Sequence, residues 1–249
     1  MDPYERSWVR LPLDGACNVR ELGGHPTANG EQTLFHRFLR SDSLSMLTAR
    51  DERFLYDYGV RAILDLRDPS EVADDPDRPI GPDVVSANIP LLSYNLADTD
   101  QASLMNDPEN ISMANMYRLI LENYEAVRAC MRFIADAPEG CVLFHCAVGK
   151  DRTGVLAMLL LSLAGVDKWD IVADYVQTRP NLMRSPVWHA QWEDYSLRKW
   201  RPILDSQADV IEQTYDLMND EHEGVENFLL ECGVRDEDVA AVRRRLVKW

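Results

Sequence analysis

The chain has 249 residues, 46% of them hydrophobic and 27% charged, with a formal net charge of -16. That length is ample for a packed core in one large domain or two small ones, and the composition is that of an ordinary globular protein. The acidic balance excludes a general nucleic-acid surface, and no apolar run is long enough to span a bilayer, so no stable membrane insertion is expected.

The first residues, Met1 to Arg6, have neither the basic region nor the apolar region of a signal peptide, so the cytoplasm is the expected compartment. Five cysteines, Cys17, Cys130, Cys141, Cys146 and Cys232, are odd in number and scattered, which favours reduced thiols. Cys141 and Cys146 would lie ~16 Å apart along a strand, too far for a disulfide.

Trp8 to Leu13 alternates apolar and polar residues and reads as an edge strand. Gly23-Gly24 and Asn29-Gly30 are turn signals, and Leu34 to Arg40 closes a hairpin. Arg20 and Arg40 are either surface ion-pair residues or members of a functional face. Thr48 to Tyr58 is a predicted helix, with Thr48 and Asp51 as a capping box and Gly59 ending it. Val60 to Leu66 is a buried strand interrupted by Asp65, which needs a partner such as Arg61, Arg67 or Lys150.

Pro69 to Pro82 holds four prolines and several aspartates and is expected to be an exposed loop without regular structure. Val84 to Ile89 is a strand, and 90–109 is irregular and polar. Met113 to Ala135 reads as one amphipathic helix, with Tyr117, Ile120, Leu121, Tyr124, Val127, Met131 and Ile134 at spacings of three and four. After Val142 to Phe144, a loop and a buried helix from Val155, a further helix covers Trp169 to Thr178.

Residues 185–205 place Trp188, Trp192 and Tyr195 on one helical face, with Trp200 behind. A satellite core and a lid over a site are the two readings of that face. Helices follow over 205–219, 224–232 and 236–248. The last has acids in its first turn and Arg243 to Arg245 near its end, which complements the helix dipole. No repeat, low-complexity segment or linker interrupts the chain, so 1–249 is expected to be one domain, with 185–220 a candidate helical lid.

The stretch His145-Cys146-Ala147-Val148-Gly149-Lys150-Asp151-Arg152-Thr153-Gly154 carries the chemistry. It runs from a strand into a helix start, where unpaired N–H groups and the helix dipole suit an anion and stabilise a thiolate. Arg152, six positions after Cys146, offers a planar fork that holds two phosphate oxygens. Gly149 allows a close backbone approach. A nucleophilic cysteine, a ring of backbone donors and a guanidinium fit attack on a phosphate ester. A Walker A loop is excluded, because Phe144 stands where it needs glycine and Asp151 where it needs Ser or Thr. A metal site lacks the accompanying Cys/His pair.

This stretch resembles the signature of the cysteine-based protein tyrosine phosphatase superfamily. In its fuller form it is similar to the bacterial tyrosine/lipid phosphatase branch that includes the mycobacterial and listerial secreted enzymes. Asn18 to Gly24, Leu39 to Asp42 and Asp65 to Arg67 resemble that branch's other blocks. The resemblance implies an α/β fold: a mixed sheet of about four or five strands flanked by helices, with extra C-terminal helices. It implies a phosphomonoesterase, most readily one acting on phosphotyrosine, with phosphoinositide or Ser/Thr monoesters as the alternative. A non-catalytic phosphate-binding module is the remaining one.

Cys146 is then the nucleophile and Arg152 the transition-state clamp. Ala147, Val148, Gly149, Lys150 and Thr153 line the substrate, Thr153 donating to the thiolate and His145 orienting the loop. Asp65 and Arg40 flank the site. Asp151 is the favoured general acid, with Asp65, Asp98, Asp100 and Asp107 behind it. Lys150 would serve a multiply phosphorylated inositol ring. No cofactor or metal is implied, inorganic phosphate is an expected occupant, and branch relatives can be exported without a classical signal.

Overall fold

The computed structural model describes residues 10–92, 112–194 and 201–248. A five-stranded sheet has β1 (Arg20–Glu21), β2 (Phe38–Ser41), β3 (Val60–Asp65), β4 (Val85–Asn88) and β5 (Cys141–His145) in the order β1-β2-β5-β3-β4. β1 is antiparallel to β2, and the other four strands run parallel. Register aligns Ser41, His145 and Asp65 across β2, β5 and β3. The segments leaving those strands therefore meet at the carboxyl edge of the sheet, where parallel sheets hold their ligands.

Strand alternation divides the core. Phe38, Ala62, Leu64, Val142 and Phe144 face one apolar cluster, and Leu39, Val60, Ile63, Cys141 and Leu143 face the other. The second face is covered by Leu55 of α1 (Ala49–Tyr58) together with Leu11, Leu44 and Ile80. The Thr48/Asp51 capping box and the left-handed Gly59 bound α1 as the sequence predicts.

The first face carries α3 (Met113–Glu122), α4 (Tyr124–Asp136) and α5 (Asp151–Leu163). It also carries α6 (Lys168–Val176), α10 (Ala208–His222), α11 (Val225–Glu231) and α12 (Asp236–Leu246), all in one cluster. In α5 nearly every residue from Arg152 to Leu163 is buried, which fits a central helix wrapped by others. Among the described residues, no helix is long and apolar enough to cross a membrane.

Several local expectations change. The stretch after Asp68 is not all loop: α2 (Pro69–Asp74) forms there. Pro69 sits in the first turn, where no donor is needed, and Asp68 with Glu71 makes a capping box. The long helix over 113–135 is two. Asn123 leaves helical geometry at ψ 65, caps α4 through Ala126 N–H, and donates to Leu91 O. Of the edge strand over 8–13, the described part keeps a single bridge from Arg10 to Arg20.

The helical path does not stop at Thr178: α7 (Thr178–Leu182) follows, with Pro180 in its first turn. Of 185–205, α8 (Pro186–Glu193) and α9 (Arg201–Leu204) are described, and Trp192 lies under the guanidinium of Arg179 at 4.4 Å. Tyr195, Trp200, Asp98, Asp100 and Asp107 lie outside the described residues.

Candidate active site

The loop from Cys146 to Lys150 joins β5 to α5. Cys146 is 2% exposed, and its Sγ accepts the N–H of Gly149 at 3.3 Å, so the loop wraps over the sulfur. Gly149 has φ +70, and a Cβ there would meet Ser41 O at 2.4 Å. Only glycine fits that turn against β2.

The loop's carbonyls are gripped from outside. Ala147 O accepts Ser43 N–H, and Val148 O and Gly149 O accept Asn18 Nδ2 at 3.0 and 3.2 Å. Gly149 O also accepts Arg40 Nη2 at 2.8 Å. In a trans peptide the N–H points opposite to the C=O, so the N–H groups of Val148, Gly149 and Lys150 turn to the concave side. The first N–H groups of α5 continue the row. The result is a cup of main-chain donors with a thiol at its floor, suited to an oxyanion.

Arg40 is wholly buried and acts on the loop from behind. Its partner is Asp174 of α6, which also holds Arg20 Nε at 2.8 Å. Arg20 in turn reaches Asn18, Asp174 O and Thr178 Oγ1. Burial raises the Asp174 carboxyl, but Arg20 and Arg40 outweigh it and hold it well below the usual range. Burial, with Arg40 alongside, lowers Arg20 to about 10.

Arg152 is 8% exposed at the start of α5, and its two terminal nitrogens face the two oxygens of Glu71 from α2, Nη2 to Oε1 at 2.9 Å. The carboxylate holds the fork as two phosphoryl oxygens would. Burial pushes the Glu71 carboxyl up, but Arg152 more than reverses this.

Lys150 is 3% exposed and turns from the cup: its Nζ donates to Ile203 O and to Asp205 O, the latter at 3.2 Å, with Asp151 at 3.3 Å. A charge expected beside the phosphate instead ties α9 to the loop. Asp151 accepts Tyr117 OH at 2.7 Å, and Tyr117 and Tyr175 hydroxyls lie 2.6 Å apart. Burial and Asp151 push the Tyr117 phenol well up, so it remains a donor. Thr153 Oγ1 is buried with no hydrogen-bond partner among the described residues, and the donor to Sγ is Gly149 N–H.

Asp65 is 5% exposed and held by Arg67, one of its three expected partners, through Nε and Nη2. Arg67 also takes Asp77 at 2.8 Å, and Asp77 approaches His145 Nε2 at 2.9 Å. His145 Nδ1 lies 3.3 Å from Cys146 O. Asp65, Asp77 and His145 place oxygen and nitrogen atoms within 4.8 Å of one another, but both carboxylates are already ion-paired with the buried Arg67, whose charge opposes a cation there.

Sequence reasoning missed Glu71, Asp77, Tyr117 and Asp174. Their partners are 10 to 154 positions away, and only the Asp68-x-x-Glu71 capping signal was readable locally.

Comparison with known proteins places the chain among relatives. Residues 11–248 match the model of the tyrosine phosphatase family. A tyrosine-protein phosphatase of Nostoc commune is 30% identical over 219 residues, 84% of this chain and 74% of that protein. The triple specificity protein phosphatase PtpB of Mycobacterium tuberculosis is 31% identical over 195 residues, 68% and 69% of the two chains. The crystal structure of Pseudomonas aeruginosa TpbA covers 90% of this chain and 99% of its own, at a TM-score of 0.40 and 16% identity. On the sequence match along nearly its whole length, the chain belongs to the tyrosine phosphatase family.

Proposed function

We propose that this phosphatase hydrolyses phosphotyrosine in proteins through a cysteinyl-phosphate on Cys146. The observation that carries the reading is the cup: Sγ under the Gly149 N–H, three loop carbonyls turned outward, and Arg152 presenting its fork at the rim. The Cys146 thiolate attacks phosphorus, a P–S bond forms, and the ester P–O bond breaks. The N–H groups and Arg152 carry the charge of the three equatorial oxygens, which is the main requirement of phosphoryl transfer. The departing oxygen takes a proton from Asp151, whose carboxyl stands at the first turn of α5 with Tyr117 donating to it. Water then attacks the phosphoenzyme, Asp151 receives its proton, the P–S bond breaks, and phosphate leaves the restored thiolate.

Glu71 must yield the fork, wholly or in part, when a phosphate dianion enters. Arg40, Asn18 and Asp174 hold the loop's shape, and Asp65 with Arg67 and Asp77 supports His145. A broader monoesterase is the second reading, favoured by the name of the mycobacterial relative, triple specificity phosphatase. Against an inositol-ring preference stands Lys150, whose charge is engaged by the carbonyls of Ile203 and Asp205. The 185–194 segment, with Trp188 beside the loop's cavity, fits a lid better than a core, since α8 buries none of its residues.

The test is a panel of phosphotyrosine, phosphoserine and phosphoinositide substrates on wild type and Cys146→Ser. Vanadate-sensitive release led by phosphotyrosine, absent in Cys146→Ser, is expected. Turnover surviving in that variant would refute the cysteinyl-phosphate, and a lead by phosphoinositides would refute the substrate.

A further inference from the structure

Asp151 stands in the first turn of α5 with its two oxygens unequally treated. Oδ1 takes both contacts described for the carboxylate, Tyr117 OH at 2.7 Å and Lys150 Nζ at 3.3 Å. Oδ2 has no partner among the described residues, and the side chain is 26% exposed. Behind Oδ1 the polar chain runs one step further into the core. Tyr117 of α3 and Tyr175 of α6 are both buried, their rings meet edge to face at 6.3 Å, and their hydroxyls lie 2.6 Å apart. The direction of these bonds follows by elimination. An ionised carboxylate only accepts, so Tyr117 donates to Asp151. Tyr175 O–H has no other acceptor among the described residues, so it donates to Tyr117. Burial first, and Asp151 next, push both phenols up, which keeps both donors protonated. The last residue of the signature makes room for the pair. A Cβ on Gly154 would lie 3.0 Å from Cδ2 and Cε2 of Tyr175, so a glycine, costly inside a helix, seats that ring against α5. Tyr175 follows Asp174 on α6: one residue holds the loop through Arg40, and the next reaches the acid through Tyr117.

We infer that Tyr117 is the positioning residue of Asp151: its hydroxyl, backed by Tyr175, fixes Oδ1 and leaves Oδ2 to carry the proton. This rests on the reading of Asp151 as the general acid. In the first step Oδ2–H passes its proton to the ester oxygen as the P–O bond breaks. In the second, Oδ2 takes a proton from water as the water oxygen bonds phosphorus and the P–S bond breaks. Oδ1 accepts from Tyr117 in both states, as a carboxylate oxygen and as the carbonyl oxygen of the acid, so the carboxyl keeps its orientation while it changes charge. Neither tyrosine gives up its proton. Tyr117 touches no reacting atom, and its effect is to aim: a catalytic group already held in place has less freedom to lose on the way to the transition state.

The test compares leaving groups. kcat/KM for an alkyl phosphate and for para-nitrophenyl phosphate is measured on wild type, Tyr117→Phe, Asp151→Asn and the double variant, with the inhibition constant of inorganic phosphate alongside. Tyr117→Phe is expected to lose about tenfold on the alkyl ester and at most about twofold on the aryl ester, with the phosphate constant little moved. In the Asp151→Asn background it is expected to cost nothing further on the alkyl ester, because the carboxyl it aims is gone. A residue that merely packs α3 on α5 would lose alike on both esters and in both backgrounds. Tyr175→Phe is expected to show the same split at about threefold, and it judges the proposal should Tyr117→Phe fail to fold. Equal losses on the two esters, a loss undiminished by Asp151→Asn, or no loss in Tyr117→Phe would overturn the positioning role. Asp151→Asn losing no more on the alkyl than on the aryl ester would instead sink Asp151 as the acid.

Discussion

Asp174 is the residue on which the loop's geometry most depends without touching substrate. It is a single carboxylate, 3% exposed, between Arg20 and Arg40, whose side chains are 0% and 1% exposed. Each attraction is worth about 4 kcal/mol at ~4 Å and an effective dielectric of ~20. Desolvation of the acid and repulsion between the two arginines offset part of that. Asp174→Asn keeps the shape and removes the charge, leaving two buried guanidinia uncompensated, and is expected to cost roughly 3–5 kcal/mol. For a chain of this size that is a fall in Tm of roughly 10 °C.

Arg40 would also lose its anchor, so its bond to Gly149 O loosens and phosphate affinity falls, by about tenfold for ~1.4 kcal/mol. The Asp174 carboxyl titrates well below its ordinary value when folded and near ~3.9 when unfolded. Its contribution is therefore complete above about pH 4 and is lost as pH falls toward the depressed value. The stability gap between wild type and Asp174→Asn, read by urea titration, should be flat from pH 5 to 8 and narrow below pH 4. Adding Arg20→Met to Asp174→Asn should recover part of the loss by removing one stranded charge. A gap of under 1 kcal/mol at pH 7, or one that widens on acidification, would refute the reasoning.

Asp151→Asn should lower kcat/KM, which reports leaving-group departure and not the later hydrolysis step, by about 10²–10⁴-fold for an alkyl phosphate and far less for para-nitrophenyl phosphate, since only the alkoxide needs its proton; equal losses in kcat/KM would remove Asp151 as the acid. Glu71→Gln should weaken the competitor for the Arg152 fork and lower the inhibition constant for inorganic phosphate several-fold; a rise would make Glu71 a positioning residue for Arg152. Lys150→Met should free the carbonyls of Ile203 and Asp205. Amide exchange over 201–206 should then speed by about tenfold with little change in phosphotyrosine KM; unchanged exchange, or a large KM effect, would restore Lys150 to the substrate.

How much of this was legible in the sequence depends on the reach of each interaction. α1 was readable to the residue because its start and stop signals, Thr48, Asp51 and Gly59, act within four positions. The loop was readable because strand, glycine, arginine and helix lie within one short stretch. α2 was hidden by prolines: four of them between 69 and 82 suggest a breaker, yet Pro69 occupies the one turn of a helix that tolerates it. The break at Asn123 was hidden for the opposite reason. The apolar stripe continues across it, and periodicity registers which face is buried but not whether the axis bends.

The site itself shows the same division. Cys146 and Arg152 announce themselves by type and spacing, whereas Lys150 and Thr153 were given roles by proximity alone, and proximity in sequence does not fix direction. A side chain's direction follows the local backbone, not its distance in sequence from the nucleophile. Lys150 accordingly runs to α9, and Thr153 is buried at the foot of α5. The outward carbonyls had to be satisfied by something, but nothing local names Asn18, Arg40 and, behind Arg40, Asp174. A donor cup built from backbone is thus only half specified by its own sequence. The other half is the set of distant polar side chains that keep its carbonyls turned away, and in this chain those were the residues whose environment looked most expensive: buried arginines in a strongly acidic protein.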